Sequence, residues 1–372
     1  MRKIFVNEPV LDGNEKKYLN ECIDSGWISH EGPFIERFEK EMAFFTGRKY
    51  AVSVSSGSAA LETAVTALQL EKGDEVIMPA FTIISCIAPL IRRGIKPVLI
   101  DSCLDTWNMR TQDIEQKITK NTKAIMAVHI YGLPVDMNPV LSIAEKYGLF
   151  VIEDAAEMHG QNYRGKPCGS FGDISIFSFY PNKHITSGEG GMVLTDNRQL
   201  AERSRGAANL FFGKRRYVHE ELGYNFRMCN LQAAVACAQL ERIEHIIKKK
   251  REMGRLYHEL LIHENRLQLP KEHTEYADNI YWVYGVMLKD DVSCDSDAVM
   301  KKLAEKGVST RPFFWCMHEQ PVLRKMGLFE NESYPNAEKM ARRGFYLPSG
   351  LNLTEDDQRY VVQKLCEVFD EV

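Results

Sequence analysis

The sequence predicts an α/β protein in which a mostly parallel sheet lies between helices and a smaller α+β domain follows. Three observations predict it. Between about residues 50 and 196, short apolar runs alternate with stretches of helical spacing. Those runs are apolar at consecutive positions, as strands buried on both faces must be. Beyond about residue 259 the pattern changes to mixed strands and amphipathic helices. The expected division is therefore a large domain over 1–258, with an N-terminal segment, and a small domain over 259–372.

The chain has 372 residues, enough for two domains with cores of their own. Its composition, 44% hydrophobic and 26% charged with a net charge of −4, excludes a disordered, collagen-like or strongly basic nucleic-acid-coating protein. The first residues carry two early cations but no apolar stretch of signal-peptide length. No run reaches the ~18 apolar residues of a membrane span. The expectation is a cytoplasmic protein without nucleic-acid or membrane partners. The nine cysteines are scattered, without a CxxC pair, and read as free thiols, so no metal site is expected.

In chain order, AVSVSS (51–56) is strand-like and runs into SAALETAVTALQL, whose Ala, Leu and Val spacing suits a helix. DEVIMPA, KPVLID, KAIMAVHIYG and LFVIEDA are further buried strands, with helical pieces such as NPVLSIAEKYG between them. DISIFSFY and GGMVLTD flank PNKHITSGE closely enough to pair. One long helix is expected from Cys229 to about Ile262, with the KKKRE run (248–252) on a solvated face. NIYWVYGVML reads as a strand and DAVMKKLAEKG as a helix. LTEDDQRYVVQKLCEVFDEV reads as a final amphipathic helix with a capping signal in LTED.

Three local features carry chemistry. Lys183 lies between two strands and is followed by Gly188, Gly190 and Gly191; by itself it reads as a surface-loop lysine. Asp154 ends an apolar strand, where ligand-facing groups sit in parallel sheets. Its alternative is a cap on a following helix, and Glu153 beside it points to the other face. Ser56-Gly57-Ser58-Ala59 stands at a strand-to-helix junction, where free N–H groups, a glycine and a hydroxyl make an anion site. Simple helix capping explains it equally, and the GxxxxGK[ST] phosphate loop is absent. Together the three describe a site for pyridoxal 5'-phosphate (PLP): an anion cradle, an acid for the ring nitrogen and a lysine for the aldehyde.

From about residue 6 to 369 the chain resembles the sugar aminotransferase family within the fold type I (aspartate aminotransferase-like) PLP enzymes. The resemblance rests on SGWISHEGPFIERFEKE, VSVSSGSAALETAV, DEVIMPAFT, TKAIMAVHIYGLPVDM, VIEDAAEMHG, GSFGDISIFSFYPNKHITSGEGGM and GYNFRMCNLQAA, in that order. It implies a large domain with a mostly parallel sheet of seven-stranded type. It also implies that Lys183 links to the PLP aldehyde and shuttles the proton, and that Asp154 binds the pyridinium nitrogen. Glu157 falls near the ring hydroxyl, where many relatives carry Gln. Gly57, Ser58, Ala59 and Ser178 fall to the phosphate, and Asn225 reaches the phosphate of a neighbouring subunit, so a homodimer with composite sites is implied. Ile83 covers the ring, where relatives usually have an aromatic residue.

His318, Arg311 and the basic run with Lys214, Arg215 and Arg216 are candidate substrate contacts, the run through a nucleotide diphosphate; a solvated loop is its alternative. Phe313, Phe314 and Trp315 read as core, or as a substrate wall. His159 and His184 read as packed histidines. A related subset carries His in place of the lysine and removes a hydroxyl; Lys183 points instead to amino transfer. The implied reaction moves the amine of L-glutamate to a keto-sugar, foremost a nucleotide-linked 4-keto-6-deoxyhexose, for cell-surface polysaccharide such as O-antigen. A non-nucleotide keto-sugar acid, a phosphorylated ketose, or a non-catalytic PLP-binding regulator are the alternatives.

Overall fold

The structure, a computed structural model, describes residues 2–215 and 217–371. Arg216, named above in the basic run, lies outside the described residues. Thirteen strands occur in the described residues: β1 (Tyr50–Val54), β2 (Glu75–Pro79), β3 (Lys96–Ile100), β4 (Thr122–Val128), β5 (Phe150–Asp154), β6 (Asn162–Tyr163), β7 (Lys166–Pro167), β8 (Ile174–Ser178), β9 (Gly191–Thr195), β10 (Leu267–Gln268), β11 (Tyr284–Leu288), β12 (Arg311–Pro312) and β13 (Gly344–Leu347). The large sheet is seven-stranded, in the order β1-β9-β8-β5-β4-β2-β3. Pairings are parallel from β8 through β5, β4 and β2 to β3, while β9 runs antiparallel to both β8 and β1. Only β9 opposes the rest, so the other six strands end on one edge.

Both faces of this sheet are covered, as the consecutive apolar positions require. Val76, Met78, Ala124, Met126 and Ile152 join one buried cluster. Their alternating neighbours Ile77, Ile125, Ala127 and Val151 join another on the opposite face. The helix Gly57–Ala67 packs on β8 and β9, and the helices Glu15–Ser25 and Pro33–Thr46 pack on Asn230–Leu240. A second sheet, β10-β11-β13-β12, is antiparallel throughout and has its own apolar cluster with helices Ser296–Glu305 and Glu355–Asp370. The final helix starts on a capping box between Thr354 and Asp357, the signal read in LTED.

Two expectations need correction. The stretch after Cys229 is not one helix: Asn230–Leu240 ends, and Ile243–Leu261 begins after a two-residue break. Neither Gly nor Pro causes the break. Glu241 is held there by Tyr18 Oη at 2.5 Å, Asn14 Nδ2 at 2.7 Å and Arg37 Nη2 at 2.7 Å. The second helix runs through the expected 258/259 boundary without interruption. Nor is the KKKRE run wholly solvated, because Lys250 is buried.

Candidate active site

The C-terminal ends of β1, β2, β4, β5 and β8 meet at a cleft of about 340 Å³. Ser56–Ser58 line it after β1, Thr82 and Ile83 after β2, His129 after β4, Asp154 and Glu157 at β5, and Ser178 at the end of β8. Lys183 enters from the connection between β8 and β9. The second sheet contributes Trp282 and Tyr346, and Phe314 closes the same side.

The start of helix Gly57–Ala67 is built as an anion cradle. Ser56 caps it, its Oγ accepting from Ala59 N at 3.1 Å. That bond takes up the N–H of Ala59, which does not line the cleft. Gly57 and Ser58 do line it, at a helix start whose first N–H groups have no partner within the helix. A Cβ on Gly57 would sit 2.7 Å from Ser178 Cβ, so only glycine keeps the gap between helix start and Ser178. A Cβ on Gly191 would lie 2.2 Å from Ser56 O, which explains a glycine where β9 passes the cradle. Ser58 Oγ and Ser85 Oγ share a hydrogen bond of 2.7 Å at its rim.

Adjacent acids on β5 separate as a strand demands. Glu153 turns away from the cleft and accepts from Gly169 N (2.5 Å), Phe171 N (2.8 Å), Gly172 N (3.1 Å) and Ser175 Oγ (2.9 Å). Burial alone would raise its pKa, but these bonds and His129 outweigh burial and hold it at about 2. Val135 N–H donates to His129 Nδ1 at 3.0 Å, which leaves the ring proton on Nε2, 3.2 Å from Glu153 Oε1. His129 thus has no lone pair for a metal, although it clusters with Glu153 and Cys168.

Asp154 faces the cleft floor. No helix follows it; its Oδ1 accepts from Ala156 N at 3.0 Å, closing a turn. The buried thiol of Cys86 donates to its Oδ2 at 3.3 Å. Burial raises the Asp154 pKa against these bonds and the nearby Lys183. Glu157 Oε2 accepts from Tyr131 N at 2.6 Å, and its Oε1 stands 3.7 Å from Lys183 Nζ. Burial pushes Glu157 up to about 8, against the pull of Lys183. Burial likewise lowers the Lys183 pKa, so the pair is driven toward its uncharged forms. Desolvation of this kind activates an amine as a nucleophile.

The donor set fits PLP: a glycine-floored helix start for a phosphate, a carboxylate beneath, and a desolvated lysine with an acid beside it. Lys183, Asp154, Glu157, Gly57, Ser58, Ser178 and Ile83 are brought together in one cleft. Ile83 is 45% exposed there, consistent with a side chain that can cover a ligand.

Other expected site residues lie elsewhere. His318 does not line the cleft; it is buried, with Nε2 3.0 Å from Glu338 Oε1 and its ring against Tyr334. The ring packs on Tyr334 and bonds Glu338, away from the cleft lining where a substrate contact was expected. Arg311 is exposed and pairs in register with Tyr346, a cleft residue, but does not itself line the cleft. Lys214 and Arg215 are exposed in the loop after residue 210, outside the cleft lining. Asn225 is exposed and accepts from Arg227 Nε at 2.8 Å, also outside this lining. Phe313 is core, Phe314 a cleft wall and Trp315 half-exposed. His159 and His184 are fully buried, and burial drives both pKa values down.

Sequence reasoning missed His129, Cys86, Tyr131, Tyr180, Trp282 and Tyr346. The rule that singled out Asp154, a polar residue ending a buried strand, also picks out His129 in KAIMAVHIYG. Trp282 and Tyr346 had no local signal, because the second sheet delivers them.

Comparisons with known proteins agree with this geometry. The DegT/DnrJ/EryC1/StrS aminotransferase family model matches residues 9–366. The chain is 40% identical to the GDP-perosamine synthase of Escherichia coli O157:H7 over 378 residues, covering 100% of both proteins. It is 40% identical to that of Vibrio cholerae over 365 residues, covering 98% of this chain and 97% of the relative. Among solved structures, Helicobacter pylori PseC, an aminotransferase involved in the biosynthesis of pseudoaminic acid, matches with a TM-score of 0.94 at 22% identity, covering 100% of both chains. S. venezuelae DesV in complex with a ketimine intermediate matches with a TM-score of 0.88 at 31% identity, over 96% of this chain and 95% of that one. The fold is that of the fold type I PLP aminotransferases, and the chain belongs to the DegT/DnrJ/EryC1/StrS aminotransferase family as a PLP-dependent enzyme.

Proposed function

We propose that this enzyme moves the amino group of L-glutamate to the keto carbon of a GDP-linked 4-keto-6-deoxyhexose. Amino transfer is carried by one observation: Lys183 Nζ, 10% exposed as a side chain, stands 3.7 Å from Glu157 in the cleft that also holds Asp154 and Gly57. The sugar class is supported by the full-length relatives named GDP-perosamine synthase, including that of Caulobacter vibrioides at 40% identity over 373 residues.

PLP, when bound, supplies an aldehyde that receives the amine and an electron-poor ring that spreads the charge left on carbon. Gly57, Ser58 and Ser178 would hold its phosphate and Asp154 would keep the ring nitrogen protonated. Glu157 would face the ring hydroxyl, and Ile83 would cover the ring. Lys183 would take the proton from the donor carbon and return it at the cofactor's side. The desolvated cleft keeps that amine uncharged often enough to act as a base.

Asn225 lies outside its own cleft lining, which supports a homodimer in which it completes the phosphate site of a second copy. The exposed Lys214 and Arg215 would then meet the sugar's diphosphate across the same interface, and Arg311 would reach the cleft mouth beside Tyr346. None of the helices is long and apolar enough to cross a membrane among the described residues. We assign the enzyme to the cytoplasm and its product to cell-surface polysaccharide. A relative 33% identical over 373 residues, the Bacillus subtilis spore coat polysaccharide biosynthesis protein SpsC, supports that destination.

The test is a screen of acceptors with glutamate and PLP, read by product mass. GDP-linked, UDP-linked and free keto-sugars are compared, with Lys183→Ala as the control. Amination of the GDP-linked 4-keto-6-deoxyhexose well above the others supports the assignment. Turnover confined to free keto-sugars, or surviving in Lys183→Ala, would overturn it.

A further inference from the structure

Lys183 is met on one side by an aromatic face. Its Nζ lies 3.7 Å from the ring centroid of Trp282, a buried residue just ahead of β11. Two bonds seat this indole. Its Nε1–H donates to the carbonyl of Asn182 at 2.8 Å, on the residue before Lys183. Its own carbonyl accepts from Lys250 Nζ at 2.9 Å.

Lys250 is 2% exposed, and among the described residues it has no carboxylate at ion-pair distance. Its second bond goes to Ser349 O at 2.5 Å, and Ser349 Oγ in turn accepts from Tyr284 N at 2.9 Å. A buried cation without a counter-charge is costly unless its donors are placed. Here the donors tie helix Ile243–Leu261 to the segment entering β11 and to the one leaving β13. The indole stands at the end of that brace.

We propose that Trp282 is the positioning residue for Lys183. Its indole plane, gripping the Asn182 carbonyl and braced from behind by Lys250, sets the rotamer from which the amine reaches the cofactor aldehyde. This rests on Lys183 being the cofactor lysine. An aromatic face is well matched to this role, because it holds an ammonium more weakly than a carboxylate does and still packs against the free amine. The amine must be placed before it reacts. Linkage forms when the uncharged Nζ adds to the aldehyde carbon; the amine's two protons and the aldehyde oxygen leave as one water.

The test uses full-length apoenzyme and separates capture from binding. Capture is the rate at which added PLP gains the visible band of the lysine-bound cofactor. Binding is the calorimetric affinity for pyridoxamine 5'-phosphate, which has no aldehyde and makes no bond to lysine. Trp282→Leu is expected to slow capture by at least about tenfold while that affinity stays within about twofold. Trp282→Phe keeps an aromatic face but loses the N–H that grips the Asn182 carbonyl, so its capture rate falls between those of wild type and Trp282→Leu.

Capture at the wild-type rate in Trp282→Leu overturns the proposal. So does a loss of pyridoxamine 5'-phosphate affinity in proportion to the slowing, which marks general damage to the cleft. Should Trp282→Leu not fold, Lys250→Met decides. Slower capture with unchanged affinity supports the brace, and a wild-type rate overturns it. A wild-type apoenzyme that binds pyridoxamine 5'-phosphate but never develops the visible band would instead refute the assignment of Lys183.

Discussion

Glu157 Oε1 lies 3.7 Å from Lys183 Nζ, with the two side chains 7% and 10% exposed. Burial pushes the acid up to about 8 and lowers the amine. The pair therefore loses its protons in coupled steps across the neutral to alkaline range. Asp154 and Cys86 also face the amine. In Glu157→Gln the negative charge that stabilises the ammonium is gone, so the amine is free at lower pH. The rate of PLP capture by the apoenzyme should then rise in one step, displaced to lower pH. Superimposable wild-type and variant profiles would show that the two groups are not coupled.

Gly57 floors the anion cradle opposite Ser178. The clash of an added methyl is with Ser178 Cβ at 2.7 Å and Oγ at 2.9 Å, and rotating the serine moves only its oxygen. Gly57→Ala should keep the fold, since alanine favours a helix start no less than glycine does. It should close the space for an anion and weaken PLP binding by about tenfold or more. Equilibrium titration of the apoenzyme with PLP measures this. Unchanged affinity would move the phosphate site elsewhere.

Asp154 and Glu153 are adjacent acids turned to opposite faces of β5, and only Asp154 is aimed at the cleft. Asp154→Asn removes the charge facing the cleft floor; its one oxygen can still accept from Ala156 N, while the amide nitrogen that replaces the other no longer accepts from Cys86 Sγ. PLP should still bind and still link to Lys183, but amino transfer should fall by about 10²–10³-fold. Single-turnover rates with glutamate read this directly. A variant at wild-type rate would dissociate this carboxylate from the ring nitrogen.

Much of this site was legible because it is local. Strand ends carry Ser56–Ser58, Asp154 and Ser178, and the chain places Lys183 a few residues past one of them. The alternation of buried neighbours along β2, β4 and β5 was likewise written in consecutive apolar residues. What stayed hidden is what distant segments supply. Trp282 and Tyr346 come from the second sheet, and His318, a candidate substrate contact by sequence, is buried against Glu338. The helix break at Glu241 follows from bonds to Tyr18, Asn14 and Arg37 that no local pattern announces. Lys250 is the exception. The buried stripe of its helix runs Ile243, Ile246, Lys250, Met253, Tyr257 and Leu261, so helical spacing alone places it inward. The charge run around it masked that signal.

Lys250 also predicts how stability depends on pH. Burial alone lowers its pKa to about 7, while in the unfolded chain a lysine titrates near ~10.4. Between those values the unfolded chain holds a proton that the folded chain has released. Unfolding there takes up a proton, and stability rises with pH by up to about 1.4 kcal/mol per unit. Below about 7 both states are protonated and the group contributes no slope. Lys250→Met removes the titration and leaves the carbonyls of Trp282 and Ser349 without this donor. That loss costs about 1–3 kcal/mol per orphaned group, equally at every pH. Chemical denaturation at pH 7 and pH 9 should thus show the wild type gaining on the variant as pH rises. A constant difference between the two proteins would mean that Lys250 keeps its proton throughout and that its two carbonyl partners, not its neutralisation, make the burial tolerable.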